Sequence, residues 1–405
     1  MPGSSPKPKA RGRYVLGLLA VAALGGAIAV VSHRRPEVPA RSSTPTFVGG
    51  KTCAPCHAEE TRLWVGSHHD HAMEVASEQS VIGDFDGASF SYAEVTSLFY
   101  RRDGKFLVYT DGPDGAMQEY EVAYTFGVAP LQQYLIALPG GRYQALGIAW
   151  DARPAADRGQ RWFHLYPTEH VTHDDVLHWT RPSQNWNDRC ARCHSTNLVK
   201  GYRLATNRYE TTWSDIDVSC EACHGPGSAH VAWAHGDRGQ EAARKGLVVA
   251  LGEPEPATWI FEGPSGIAHR SRPRVSHAEV ETCAPCHARR AELSDGAPAG
   301  RPLLDDYRPA LLEEGLYFAD GQIEDEVYEY GSFLQSAMYH AGVTCSDCHD
   351  PHSLKLRVGG NALCTRCHLE VRHAGASLPS RGLAGRALHR VPHAAADVHG
   401  DRRAA

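Results

Sequence analysis

The 405-residue chain has no cysteine outside six copies of one short motif. All twelve cysteines fall in C-x-x-C-H units, so none is left for another kind of site. The net charge of −6 is too close to neutral to indicate nucleic-acid binding, and no basic stripe interleaved with aromatic residues occurs. No constellation of catalytic side chains can be named either. The informative feature is therefore the repeated unit itself.

C-x-x-C-H is the attachment site of a c-type haem. Two thiols two residues apart form thioethers with the vinyl groups of a porphyrin, and the adjacent histidine supplies the proximal ligand to iron. The sequence therefore predicts six covalent haem c groups. The attachment residues are Cys53, Cys56, Cys190, Cys193, Cys220, Cys223, Cys283, Cys286, Cys345, Cys348, Cys364 and Cys367. The proximal ligands are His57, His194, His224, His287, His349 and His368.

Three other interpretations of C-x-x-C compete with haem. A thioredoxin-type dithiol would occur once, and a short-loop disulfide does not require a following histidine. A zinc ribbon is the serious alternative for the last two units, because fifteen residues separate Cys348 from Cys364. The histidine that follows the second cysteine of every unit argues against zinc. With 24 histidines in 405 residues, the chance that all six units would have this histidine by accident is on the order of 10⁻⁸. We therefore favour haem.

The N-terminal segment indicates export. Residues 14–31 are uncharged and largely apolar, after four basic residues within 1–13. This length is near the minimum that spans a bilayer, so we predict an uncleaved anchor at 14–32, with a basic cytoplasmic N-terminus at 1–13. The alternative is a cleaved secretory signal. Both place the rest of the chain outside the cytoplasm, after a Pro/Ser/Thr-rich linker at 33–46.

The remaining chain divides by composition. We expect a first haem unit at 47–84, a β-rich insertion at 85–183, a five-haem region at 184–370 and a mobile Ala/Arg-rich tail at 371–405. Hairpin turn signals such as Asp103-Gly104 indicate five or six antiparallel strands in the insertion. These would shield a haem edge or form a docking surface. The predicted fold is mainly α and irregular, wrapped around covalent haems, with one antiparallel β insertion.

Each iron needs a second ligand, and eighteen histidines remain after the six proximal ones. His230 follows His224 beyond the helix-breaking Gly-Pro-Gly, and His352 follows His349 by three residues, so each can reach a different haem. The alternative is that these histidines are solvated surface residues. The candidate distal ligands are His68, His69, His71, His230, His277, His340 and His352.

Longer motifs carry a family resemblance. They are FVGGKTCAPCH (47–57), SHHDHAM (67–73), YTFGVAPLQQYL (124–135), SCEACHGPGSAH (219–230), GVTCSDCHDPHS (342–353) and GNALCTRCH (360–368). Together they resemble multihaem c-type cytochromes of the cytochrome c-554-like family. The resemblance implies extracytoplasmic electron transfer through bis-histidine haems, with His230 and His352 as distal ligands. Relatives often continue into a further haem unit and tetratricopeptide repeats, which do not follow here, and they tend to have histidine in place of Phe318.

Three functions fit these features. The first is an electron carrier between a membrane-side donor and an extracytoplasmic acceptor, working with redox partner proteins. The second is a multihaem oxidoreductase that reduces a small nitrogen or sulfur oxo-species at an open iron. The third is a haem-wire subunit in a larger assembly with other cytochromes. The carrier is the interpretation that we favour.

Overall fold

The computed structural model describes residues 44–237, 244–296, 299–325 and 327–369. The predicted basic N-terminus, the anchor at 14–32, most of the linker at 33–46 and the tail at 371–405 lie outside the described residues. Within the described ranges, no helix has the length and apolar character needed to cross a bilayer.

The dominant element is one antiparallel sheet of nine strands, in the order β2-β3-β4-β5-β6-β8-β9. Strand β1 pairs with β5, and β7 pairs with β6. The sheet is nearly closed, because β9 returns to β2. The strands are β1 Glu74–Val75, β2 Asp86–Tyr92, β3 Val95–Arg102, β4 Lys105–Asp111, β5 Met117–Phe126, β6 Leu131–Leu138, β7 Arg142–Ala145, β8 Ile148–Asp151 and β9 Arg161–His164.

Alternation and turn chemistry explain the β3–β4 hairpin. Phe99 is buried while its neighbour Leu98 is exposed, as a strand with one face on a core requires. Arg102 pairs with Lys105 across the two-residue turn at Asp103-Gly104, and both turn residues have positive φ, 52° and 74°. Such a turn matches the twist of the strands it joins. The predicted turn signal therefore marks a real hairpin.

Aromatic packing gives the sheet its own core. Phe85 makes edge-to-face contacts with four other rings at centroid distances of 5.3–5.7 Å. Edge-to-face pairs add to the free energy gained by apolar burial. The buried members of this core are Phe85, Phe99, Phe106, Val108, Val122, Tyr134, Ile136, Leu146, Ile148, Trp150, Trp162 and Trp179. The sheet thus has a core formed by its own side chains and those packed on it.

This architecture shows that the predicted fold class was wrong. Strand and helix occupy similar shares of the structure, so the protein is not mainly helical. The sheet has nine strands instead of five or six, and it begins at Glu74, within the segment assigned to the first haem unit. The physical reason is the aromatic core, which lets the sheet fold as a body of its own, whereas the haem units form only short helical turns.

Short helices and two-stranded ribbons make up the remainder of the described chain. The helices are α1 Gly50–Cys53, α2 Ala58–Trp64, α3 Trp186–Arg189, α4 Ala191–His194, α5 Cys220–His224, α6 Ser228–Ala234, α7 Ala278–His287, α8 Leu303–Asp306, α9 Glu329–Leu334, α10 Ala337–His340, α11 Cys345–Cys348 and α12 Ala362–Thr365. The ribbon strands are β10 Tyr202–Arg203, β11 Arg208–Tyr209, β12 Trp259–Ile260, β13 His269–Arg270, β14 Arg290–Glu292 and β15 Tyr307–Pro309.

A second core joins the sheet to the second C-x-x-C-H unit. Trp186 of α3 is fully buried and packs with Phe126 and Leu135 of the sheet. Ala191, inside the second unit, belongs to the same cluster. The sheet therefore packs directly against the second unit.

Candidate haem-binding site

The C-x-x-C-H units lie on or beside single helical turns. The third unit forms helix α5, and the fourth ends helix α7. On a helix, residues three and four apart share one face, so the two cysteines and the histidine of a unit project to the same side. This is the arrangement needed to attach one planar group by two thiols and bind its centre from below.

The thiols of different units meet in pairs. Cys53 is hydrogen-bonded to Cys220, Cys193 to Cys286, and Cys283 to Cys345, and each pair shifts the pKa values of both its members. The last two units are also neighbours, because the pKa of Cys348 is raised by burial and by the adjacent Cys367 and Cys364. Cys223 of unit three also acts on Cys283 and Cys286 of unit four. Unit one therefore adjoins unit three, three adjoins four, four adjoins both two and five, and five adjoins six. The six units form one contiguous array whose spatial order differs from the chain order.

Two histidine pairs have the spacing of axial ligands. The rings of His57 and His230 are centred 6.0 Å apart, and those of His69 and His287 6.4 Å apart. An imidazole nitrogen binds a metal at about 2 Å and lies about 1 Å from its ring centre, so two axial rings are centred about 6 Å apart. Each pair joins a proximal histidine to a candidate distal one from a remote segment.

Backbone carbonyls orient several of these rings. His230 donates from Nδ1 to the Lys245 carbonyl at 2.8 Å, and His194 donates from Nδ1 to the Ala72 carbonyl at 2.7 Å. A carbonyl only accepts, so Nδ1 carries the proton and Nε2 remains as the nitrogen that can bind a metal. Burial lowers the pKa of His194, which favours the neutral form that a metal requires.

His352 lies near the third unit. The pKa of His224 is lowered by burial first and then by the charges of His352, His57 and His230. Four histidines from units one, three and five therefore share one neighbourhood. This placement is compatible with the role that the family resemblance implies for His352.

The other candidate distal ligands have different contacts. His71 is paired through Nδ1 with the Glu74 carboxylate at 2.9 Å, and His277 contacts the Tyr339 hydroxyl at 3.2 Å. His340 packs edge-on to the Tyr339 ring. His68 adjoins His69, whose pKa falls to about 4 through burial first and then through the charges of His287 and His68. The roles of His68, His71, His277 and His340 as ligands stay predictions.

A buried carboxylate in the third unit escaped the sequence-based reasoning. Glu221 stands between Cys220 and Cys223 and is 2% exposed. Its oxygens accept hydrogen bonds from the backbone N–H groups of Val48 (3.0 Å), Gly49 (2.7 Å) and Gly227 (2.7 Å). Glu221 thus ties the segment before the first unit to the third. The identity of the residue between the two cysteines was the signal that could have revealed it.

A cationic cluster lies between the second and fourth units and was also missed. Arg192, Lys200 and Arg290 surround the Glu292 carboxylate at 3.4, 2.8 and 3.7 Å. Arg290 also donates to the Cys193 sulfur at 3.6 Å. The pKa of the Cys193 thiol is lowered to about 7, first by the hydrogen bond with Cys286 and further by the positive charge of Arg290. Only the tertiary structure brings these residues together.

The arrangement fits covalent haem. In units three and four the thiols and the histidine share a helix face, the units adjoin, and two histidine pairs have rings centred about 6 Å apart, which would suit the two sides of one iron. When bound, the iron porphyrins would supply one-electron redox chemistry, with Cys220 and Cys223 of unit three, for example, holding the macrocycle and His224 the iron. The protein supplies attachment, orientation and local charge.

One segment of the chain matches a known protein family. Residues 160–225 match the model of the family described as cytochrome c554 and c-prime. Two solved structures are similar: the outer cell wall cytochrome OcwA (18% identity, TM-score 0.48, 80% of this chain and 67% of that one) and the octaheme sulfite reductase MccA of Wolinella succinogenes (16%, 0.29, 77% and 45%). No curated protein matches the chain. The family match spans the second and third units and confirms the resemblance to a multihaem c-type cytochrome.

Proposed function

We propose that this multihaem c-type cytochrome carries six covalent haems and transfers electrons between a membrane-side donor and an acceptor outside the cytoplasm. The donor would be a quinol-oxidising membrane protein and the acceptor an oxidised redox protein. Each haem would take one electron on passing from ferric to ferrous and would lose it to the next. The observation that carries the proposal is the contiguity of the six units through their thiol contacts.

The histidine pairs support a carrier in preference to a catalyst. An iron held between two histidines has no open position for a substrate, whereas small-molecule reduction at a metal requires one. We assign His230 as the partner of His57 in unit one, His69 as the partner of His287 in unit four, and His352 as the partner of His224 in unit three. The sheet, packed against the second unit, would exclude water from the array.

Export follows from the chemistry of attachment. Haem is joined to c-type cytochromes outside the cytoplasm, and the apolar stretch at 14–31 would direct the chain there. We therefore place the protein in the periplasm or its equivalent, anchored by residues 14–32. Fractionation of cells that express the full chain tests this: recovery in the membrane fraction after a salt wash supports anchoring, and recovery in the soluble fraction indicates a cleaved signal.

One spectroscopic experiment tests the proposed function. The full chain would be purified with its haems, the haems counted as the pyridine haemochrome, and the spin states determined by EPR with and without carbon monoxide. Six haems, all low-spin and inert to carbon monoxide, are the expected result. A high-spin fraction near one in six that binds carbon monoxide would support the reductase instead. An absence of haem would refute the whole proposal and favour the alternative interpretation, a zinc ribbon at the last two units.

A further inference from the structure

The charges around the haem units are divided by sign. The first and third units share a region of carboxylates: Glu221, Asp215, Asp217 and Asp70. Among the described residues, none of these four has a lysine or arginine within ion-pair distance, and Glu221 and Asp215 are bonded to backbone N–H groups instead. Asp215 accepts from Gly50 at 3.1 Å, three residues before Cys53. Within the described part of the chain, no lysine or arginine pairs with Glu221, Asp215 or Asp70, so their negative charge is not compensated by an ion pair.

The second unit has the opposite surroundings. Arg192, Lys200 and Arg290 have side chains only 11–16% exposed, and the carboxylates they meet are Glu292 and Asp188. With the exposed Arg189, which also pairs with Asp188, four cations face two carboxylates and leave two surplus positive charges. One terminal nitrogen of Arg192, Nη2, is buried and has no hydrogen-bond partner. The three largely buried side chains therefore hold positive charge inside the protein, and Arg290 brings it into contact with the Cys193 sulfur.

The sign of a nearby charge controls the potential of a haem. Reduction adds one electron and removes one positive charge from the iron, so a carboxylate stabilises the oxidised form and a cation stabilises the reduced form. Buried charges act more strongly than exposed ones because solvent and salt screen them less. Glu221 and Arg192 each lie between the two cysteines of a unit, in the short segment to which the porphyrin ring would be attached.

We infer that the array has a built-in potential gradient, with the haems of units one and three at its low-potential end and the haem of unit two at its high-potential end. This inference deepens the proposed function and rests on it. Electrons that the donor delivers to units one and three would pass downhill in free energy and collect at unit two, beneath the sheet. The gradient assigns a direction to transfer that the chain order does not give.

The test is a potentiometric titration of the purified holoprotein, resolved into six components by visible and EPR spectroscopy. Glu221→Gln should raise the lowest components and leave the highest unchanged. Arg290→Gln should lower the highest component and leave the lowest unchanged, and Arg290→Lys should restore it. Matched controls remove exposed charges beside the same units: Glu59→Gln, at 64% exposure, and Arg189→Gln, at 63%. Neither control should shift a component.

Opposite shifts at opposite ends of the titration support the gradient, since a purely structural disturbance has no reason to follow the sign of the removed charge. Shifts of the same sign, or shifts no larger than those of the controls, overturn it. If Glu221→Gln fails to fold because its backbone contacts are lost, Asp215→Asn provides the same test and affects only the hydrogen bond from the Gly50 N–H group. The haem count and spin state are measured on each sample, so a protein with six low-spin haems and no gradient leaves the proposed function intact and refutes only this inference.

Discussion

Removal of the His230 imidazole offers the sharpest test of the ligand geometry. His230 lies with its ring centred 6.0 Å from that of His57, and its Nδ1 proton is engaged by the Lys245 carbonyl. His230→Ala therefore takes the proposed second ligand from one iron without touching the attachment thiols. We expect one haem in six to become high-spin, which is about 17% of the iron.

The fold should survive this substitution. His230 contributes one hydrogen bond to a backbone carbonyl and a stacked contact with Trp233 at 5.7 Å. A hydrogen bond of this kind contributes about 1 kcal/mol net, which is small beside the stability of a domain of this size. The haem count should therefore stay at six, and the circular dichroism of the sheet should not change.

The assay is EPR on the oxidised protein, with carbon monoxide binding to the reduced protein as a second readout. The matched control is His235→Ala, which removes an exposed histidine from the end of the same helix, α6. Added imidazole should return the variant to the low-spin state by filling the open position. The reasoning would be refuted if all six irons stayed low-spin in His230→Ala, or if His235→Ala produced the same high-spin fraction.

Three further predictions follow from the same contacts. His69→Ala should remove the second ligand from the iron of unit four and make that haem high-spin. The double variant with His230→Ala should have two high-spin haems in six. A double variant with only one high-spin haem would show that the two histidine pairs bind the same iron. Trp186→Ala should lower the free energy of unfolding by about 3–5 kcal/mol, because a fully buried indole leaves a cavity between sheet and second unit; Val176→Ala, at a 72% exposed site, should cost far less in the same denaturant titration. Burial and neighbouring carboxylates raise the pKa of Asp217 to about 7, so ionisation opposes folding and the wild type loses stability as pH rises from about 4 to 7. Asp217→Asn should therefore raise the melting temperature at pH 8 and leave it unchanged at pH 4, whereas an equal gain at both values would contradict the assigned cause.

The sheet gives the clearest view of what a local pattern can and cannot predict. The Asp103-Gly104 turn was predictable, because its positive φ angles follow from the turn type that two adjacent antiparallel strands require. The two-residue strand β1 was not, and neither was the division of residues 142–151 into the separate strands β7 and β8, because strands that short show no readable alternation. The predicted fold class was wrong because closure of the meander depends on the aromatic core and on contacts between β2 and β9, which are remote in the chain.

The sequence by itself determined the chemistry of attachment. Six C-x-x-C-H units predict haem c, because covalent attachment of haem requires two thiols and a histidine at a fixed spacing within five consecutive residues. Which units adjoin, which distal histidine faces which proximal one, and which charges surround each unit were decided by the tertiary structure alone. His57 and His230, or Arg192 and Arg290, lie far apart in the chain, and nothing in either local segment specifies the other. Their juxtaposition depends on how the sheet and the helical turns pack, and packing is a property of the whole chain.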